Sequence, residues 1–396
     1  MGTIFELWVG VDWPRTQVER LQDFTPRFCP WPECRNHGGG ERRGRFRRHA
    51  FYATRRRRAV PRFRCSACRR TCSRQSFAVS YYLKRPELLV PVAAGLQAGS
   101  AHRQIARSLG CAPSTVTRLS ARLGRHALLL LARSLRHLEG SLEEPIVLDH
   151  FETFEFTQDY PFGVATAVGS GSWFVYGLDP APHARTGRRS SAQQERMRLR
   201  PRRLMRGGYA GSTRRVLEVL LPLGQPDRAL VIRGDGHPAY DRALGWPADG
   251  RRVVLERYPN PPRGPKGARR STEARVRDQA MFPVDLLHKI LRHTLAHQRR
   301  ETIAFGRRLN AVMERLFLAA VWRNFVKRRS ERRPEPRTPA MHLALTDAPW
   351  SWKRVLSRRL FVRREKLPAP WPSLYRRDWI TPILPSNARH DLARAY

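Results

Sequence analysis

The segment Pro145 to Phe156, PIVLDHFETFEF, constrains this chain more than any other. It is short, largely apolar and bounded by proline and turn signals, the pattern of a strand covered on both faces of a sheet. Asp149 stands in its middle. A carboxylate inside a covered strand is costly unless something cationic meets it, so Asp149 reads as a metal ligand. A second acid, Asp235, follows the apolar segment Arg228 to Arg233 (RALVIR), where Gly234, Asp235, Gly236 and His237 break the strand. Taken alone, an Asp at a strand end is an ordinary turn former, and a buried Asp is usually hydrogen-bonded. Two carboxylates at the ends of two buried strands can nevertheless be brought together by one sheet, and a third is then expected.

Charge points the same way. In 396 residues, 75 Lys and Arg stand against 33 Asp and Glu, a formal charge of +42. Such an excess repels itself unless its natural partner is a polyanion, and nucleic acid is the expected one. A membrane surface would also attract it, but no apolar span approaches the length that crosses a bilayer. The opening residues, MGTIFELWVG, lack the basic-then-apolar order of a signal peptide, so a cytoplasmic location is expected. The length allows two or three domains.

Five of the six cysteines precede position 73. Cys29 and Cys34 bracket PWPE, and Cys65 and Cys68 bracket SA, the spacing of a zinc ribbon, in which tetrahedral zinc takes two ligands from each of two tight knuckles. Cys72 and His37 are substitute ligands by position, and Cys72 reads as core. The linking segment is rich in arginine (Arg42, Arg43, Arg45, Arg47, Arg48, Arg55 to Arg58), which suits contact with phosphate. From Pro86 the pattern turns helical: PELLVPVAAGLQAG, SAHRQIARSLG and CAPSTVTRLSARLG, with Gly99 and Gly110 at the turns. Ile105, Ala106, Leu109, Val116 and Leu119 face inwards. This fits a helix-turn-helix module, with Ser100 as the cap of its second helix and Pro113 at the first position of its third. Ser114, Thr115, Thr117, Arg118 and Arg122 then face the major groove. Ala121 to Leu138 continues as a connecting helix.

Beyond Pro145, strands are expected at Phe162 to Ser170 and Trp173 to Leu178, joined by the turn Gly169 to Ser172. An insertion, Arg185 to Arg206, carries nine Arg and one Glu and reads as a solvated loop. A helix at Ser212 to Leu223, the Asp235 strand, a short helix at Pro238 to Leu244 and a strand at Arg251 to Tyr258 complete a ribonuclease-H-like order. After a linker, Pro259 to Arg270, a long helix carries Val284, Leu287, Leu291 and Leu295 as one stripe and Asp285, His288 and Arg292 on an adjacent face. Asp285 is the third acid, although an acid in a first helical turn is also favoured by the helix dipole. Glu301 is its rival and Asp278 a weaker one. Leu309, Met313, Leu316, Phe317 and Ala320 form a packing stripe. The basic, proline-broken tail carries Trp350, Trp352, Trp371 and Trp379, a mixture suited to lying over DNA or over the protein itself.

Together, the four cysteines, the IARSLGCAPSTVTRL module, VLDHF around Asp149, RGDGHPAY around Asp235, and the stretch from Asp285 through LRHTLAHQRRETIAF to VWRNFVKRRS and TPAMHLAL resemble the transposases of bacterial insertion sequences with a DDE or DDD catalytic domain. In such elements the final acid precedes an Arg, a basic-Thr step and an Ile-x-Phe, and Asp285, Arg292, Thr302 and Ile303 to Phe305 fall at those steps. The departures are Asp in place of the commoner final Glu and the long insertion before Asp235.

The resemblance implies a multi-domain α/β chain. Residues 1–84 form the zinc ribbon, 85–140 the helix-turn-helix and connecting helix, 141–330 the ribonuclease-H-like domain with its insertion near 185–206, and 331–396 a basic tail. Asp149, Asp235 and Asp285, or Glu301 as the third, would hold Mg2+ or Mn2+, which as hard cations take oxygen ligands. Asp149 would bridge two ions, and hydrolysis at the transposon end would precede attack of the freed 3′-hydroxyl on target DNA. His237 and His288 would be structural or orient water. The partners implied are terminal repeats and target DNA, with a homodimer or larger assembly in the bacterial nucleoid. Rival expectations are a regulator or domesticated derivative without chemistry, a nuclease without strand transfer, and an RNA-binding protein.

Overall fold

The structure, a computed structural model, describes residues 24–38, 45–54, 57–201, 204–245, 252–262, 264–265, 267, 269–331 and 336–384. The opening MGTIFELWVG and Arg42, Arg43, Arg55, Arg56, Arg202 and Arg203 lie outside them, as do the side chains of Arg57 and Arg58.

The fold is mixed α/β. A three-stranded antiparallel sheet comes first: β1 (Phe46–Thr54), β2 (Arg57–Cys65) and β3 (Thr71–Cys72). Three helices follow, α1 (Leu89–Gln97), α2 (His102–Ser108) and α3 (Pro113–Arg136). Gly99 and Gly110 occupy the turns with φ of +74° and +55°, backbone that disfavours any side chain. Ser100 is not the cap of α2. That position is Ala101, whose N–H is taken by Gln104 Oε1 at 2.8 Å, half of a capping box. Pro113 does open α3, after Ala112.

The third helix and the connecting helix are one element of 24 residues, because nothing between Pro113 and Arg136 breaks it. Its middle is buried all round. At Gly124 an added Cβ would lie 2.4 Å from the carbonyl oxygen of Glu314, so glycine permits the close crossing of α3 with a later helix.

The central sheet has five strands in the order β6-β5-β4-β7-β8, formed by β4 (Ile146–Phe154), β5 (Pro161–Gly169), β6 (Val175–Pro182), β7 (Leu230–Gly234) and β8 (Val253–Arg257). The first three are an antiparallel meander; β7 and β8 run parallel to β4. Four helices complete this region: α4 (Ser191–Arg198), α5 (Gly208–Leu220), α6 (Pro238–Leu244) and α7 (Thr272–Thr294). Alternation along β4 sends Asp149 and Phe151 towards α7 and His150 and Glu152 towards α5 and α6.

The Gly169 to Ser172 turn is held by Glu144, whose Oε2 accepts from the N–H groups of Gly171 at 2.7 Å and Ser172 at 2.8 Å. The insertion expected as a loop contains α4, a helix that buries no residue, capped by Ser190. Asp159 anchors both ends of this insertion through Arg185 (2.6 Å) and Arg200.

Helix α8 (Leu309–Val321) is buried on every side and runs into a π-helical turn, Trp322–Val326. The tail packs on the protein. Trp371 is fully buried against Phe317, centroids 5.0 Å apart, Trp350 stacks on Phe325 at 4.5 Å, and Arg377 Nε pairs with the buried Glu314 at 3.1 Å. Further back it meets the ribbon: Arg359 donates to Ser76 O at 3.0 Å, Phe361 lies 5.2 Å from Phe28, and the Arg364 guanidinium sits 3.9 Å over the Phe28 ring. One continuous apolar core therefore runs from Val79 through the helices and the sheet to Trp379. Among the described residues no helix is long and apolar enough to cross a membrane.

Candidate functional site

The cysteine knuckles close on each other. Cys29 Sγ lies 3.6 Å from Cys68 Sγ and Cys34 Sγ 3.7 Å from Cys65 Sγ, and all four sulfurs lie within 4.8 Å of one another. Tetrahedral zinc with bonds of about 2.3 Å sets its sulfurs about 3.8 Å apart, so the cluster fits that ion. Asn36 supports it from outside, donating its N–H to Cys34 Sγ (3.4 Å) and its Nδ2 to Cys65 Sγ (3.3 Å). Burial alone would raise the Cys65 thiol, but N–H donors from Cys68, Asn36 and Ala67 outweigh it and bring it down to about 7. That favours the thiolate a metal needs. Cys72 is buried apart from the cluster, and His37 uses Nδ1 on the carbonyl of Cys29 at 2.7 Å.

On α3, Ser114, Thr117 and Arg118 are exposed and Thr115 is half-buried. Thr117 donates its hydroxyl hydrogen to Pro113 O at 3.1 Å, and His102 Nδ1 lies 3.1 Å from Thr117 Oγ1. Arg122 does not face outwards. It is buried and donates to the carbonyls of Val79 and Tyr81, because it falls where α3 turns under the chain preceding α1. Arg103 and Arg107 line the concavity at the turn with Gly110, Cys111 and Pro113.

The acids are arranged by the sheet. Ile146 pairs with Ile232 and Val147 with Arg233. Two residues further along, the same register sets Asp149 beside Asp235, just past the end of β7. Neighbours in a parallel register point to the same face, and the strands lie about 4.8 Å apart. Asp285, on α7, is close enough for its charge to act on Asp149, but among the described residues the four cysteines are the only group of three or more ligands to bring their atoms within 4.8 Å of one another. Burial raises Asp149 to about 7; the charge of Asp235 and, more weakly, Asp285 adds to this, while the His150 N–H and Arg277 oppose it.

Each acid is also held. Asp149 Oδ1 accepts from His150 N at 2.7 Å, Asp235 Oδ1 accepts from His237 N at 3.0 Å as a turn-forming Asp does, and Asp285 pairs with Arg277. Glu301 is exposed on the loop after α7 and is not among the charges acting on Asp149; Asp278 is taken by Arg270. No family model, curated protein or solved structure matches this chain.

Around the acids stand His288 and Arg292, expected on this face of α7, and Thr166, which carries no signal in the sequence. Thr166 on β5 donates to Asp149 O at 2.9 Å and meets His288 Nε2 at 2.8 Å, and the other ring nitrogen of His288 lies 3.7 Å from Asp149 Oδ2. Burial, reinforced by Arg292, lowers His288 to about 3, so the ring is neutral. Arg292 itself donates to Gln298 O at 2.7 Å and to Glu152 O, and stacks 4.3 Å over Phe151. On the far face of β4, His150 Nε2 lies 2.9 Å from Ser212 Oγ, and Glu152 takes His183 at 3.0 Å and the Tyr209 hydroxyl. Period-two alternation would have flagged this second set, since His150 and Glu152 share the face opposite Asp149.

Proposed function

We propose that this chain is a DNA transposase of the DDD type, cutting and joining DNA strands at a divalent-metal site made by Asp149, Asp235 and Asp285. The observation that carries the reading is the register of β4 with β7, which puts Asp149 and Asp235 side by side on one face of the sheet, with Asp285 close enough for its charge to act on Asp149. Burial is the main cause of the raised carboxyl of Asp149 and the charges of Asp235 and Asp285 add to it, and hard divalent ions suit an all-oxygen set. Such ions stabilise the charge on the attacking and leaving oxygens of an in-line displacement.

The strand order, an antiparallel meander with two further strands parallel to its first, supports the reading of a ribonuclease-H-like domain. In this reading the protein's own groups divide the work. Asp149 and Asp235 hold their carboxylates still through backbone N–H donors. Arg277 neutralises Asp285 until an ion takes that role. Arg292 locks α7 to β4 through Glu152 O and fixes the height of the third acid. Exposed Ser114, Arg118, Arg103 and Arg107 on the helix-turn-helix, with Arg47 and Arg48 on β1, give the duplex its phosphate contacts.

The deciding experiment incubates the purified chain with Mg2+ or Mn2+ and duplex DNA carrying the inverted repeats that flank its coding region. End cleavage followed by joined product is expected, and Asp149→Ala, Asp235→Ala and Asp285→Ala each abolish it while leaving DNA binding intact. Cleavage without joining would make the chain a nuclease, and binding without either would make it a regulator. Retained cleavage by Asp285→Ala with loss in Glu301→Ala would move the third ligand.

A further inference from the structure

We propose that His288 is a direct ligand, through Nδ1, of a divalent ion shared with Asp149 Oδ2. The inference rests on the metal site proposed above and adds a nitrogen donor to its oxygen set.

The argument begins with one hydroxyl hydrogen. Thr166 has a single hydrogen to give, and its Oγ1 lies 2.9 Å from the carbonyl oxygen of Asp149, which can only accept. With that hydrogen on the carbonyl, Thr166 accepts from His288 Nε2, 2.8 Å away, and Nε2 carries the ring proton; the opposite tautomer would instead turn an Nδ1 hydrogen towards Asp149. In that first tautomer Nδ1 is left as a bare lone pair 3.7 Å from Asp149 Oδ2. Two electron-rich atoms facing each other repel. The gap is too long for a hydrogen bond from a protonated Asp149.

A cation between them satisfies both. With bonds of about 2.1 Å to nitrogen and oxygen, donors at this separation subtend about 125° at a common ion, which a small side-chain rotation brings to either tetrahedral or octahedral geometry. The arrangement is also the usual one for a ligating imidazole, whose second nitrogen donates to an oxygen that fixes its tautomer and tilt. Here that oxygen belongs to Thr166, and Phe151 packs the ring in place with centroids 5.2 Å apart. Position on α7 agrees: His288 is one turn after Asp285, so both reach the same site from one helix face. Imidazole suits borderline metals better than Mg2+, so the site is expected to prefer Mn2+.

The test uses the full chain with its cysteine cluster loaded with zinc and Mn2+ added as the probe. Pulsed electron paramagnetic resonance should show nitrogen-14 modulation from a coordinated imidazole in the wild type. It should vanish in His288→Gln and persist in His237→Gln. Mn2+ affinity, measured by calorimetry, should fall about 10-fold in Thr166→Val, which removes only the supporting oxygen, and further in His288→Gln. The preference for Mn2+ over Mg2+ should narrow in both.

Mn2+ bound in an Asp149-dependent way without nitrogen modulation, or modulation that survives His288→Gln, overturns the assignment and leaves the carboxylate site standing. Mn2+ binding that ignores Asp149→Asn overturns the carboxylate site as well. If His288→Gln does not fold, the wild-type spectrum and Thr166→Val still decide.

Discussion

Arg122 donates through Nη1 to the carbonyl oxygens of both Val79, at 2.8 Å, and Tyr81, at 2.7 Å. The side chain ties α3 to the segment that leads out of the ribbon, and its charge is buried in doing so. Arg122→Ala should cost about 2–3 kcal/mol, because it strands two carbonyls away from water, and should lower the melting temperature. Arg118→Ala, one turn earlier and exposed, should leave the melting temperature unchanged. It should instead weaken DNA binding and reduce the salt slope of affinity by about one. Thermal melts paired with binding at several salt concentrations separate the two arginines. Equal effects on both readouts would refute the distinction.

The raised carboxyl of Asp149 fixes a pH dependence. Its folded value of about 7 lies above the ordinary 3.8, so between those values the unfolded chain has released a proton that the folded chain retains. Stability contributed by this group therefore falls as pH rises through that window, and the full cost is present above it. Asp149→Asn should stabilise the metal-free protein at about pH 8 by on the order of 2 kcal/mol, allowing for the 23% exposure of the side chain, and should do little at about pH 4. Denaturant titration at the two pH values checks this. Saturating Mn2+ should reverse the difference at the higher pH by stabilising the wild type alone.

Zinc should be bound at one ion per chain, measurable by native mass spectrometry, and lost in Cys65→Ser. Structural zinc sites fold with their metal, so chelation should open the ribbon. Because Arg359, Phe361 and Arg364 dock on Phe77, Phe28 and His37, the tail near residue 360 should become sensitive to protease at the same chelator concentration. Cleavage confined to the ribbon would show that the two are not coupled.

Trp371 is fully enclosed against Phe317. Trp371→Ala should cost about 3–5 kcal/mol, the range for emptying a large aromatic site. A tail that served only to hold DNA would show no such loss in a melt without DNA.

Much of this was legible beforehand because local chemistry dictates it. Cysteine spacing set the four-sulfur cluster, Gly99 and Gly110 the turns, and the apolar run around Asp149 the central strand, which spans Ile146–Phe154. Asp149 stood out because it interrupts an apolar run, Asp235 because it ends one, and Asp285 only as one polar residue on a helix face. What joined them was not legible: the pairing of β4 with β7 links residues more than eighty positions apart, and no local signal states a register. Arg122 misled because an arginine in a helical pattern is ordinarily solvated, and only tertiary packing supplied the two carbonyls that bury it. The insertion hid a helix because α4 buries nothing and so carries no apolar period. The tail was undecidable from composition, since tryptophan and arginine suit either a protein core or a nucleic-acid surface.

The docking of Trp371 and Phe361 has a bearing on synthesis. A growing chain presents its cysteine knuckles early, yet Phe361, which packs on Phe28 beside them, emerges more than three hundred residues after Phe28, and Trp371 emerges after the Phe317 it covers. Until then the apolar flank of α8 and the aromatic side of the ribbon stay wet, and a product stopped short of that point has nothing to close over them. Early stop codons should therefore yield aggregated or degraded fragments instead of stable shorter proteins.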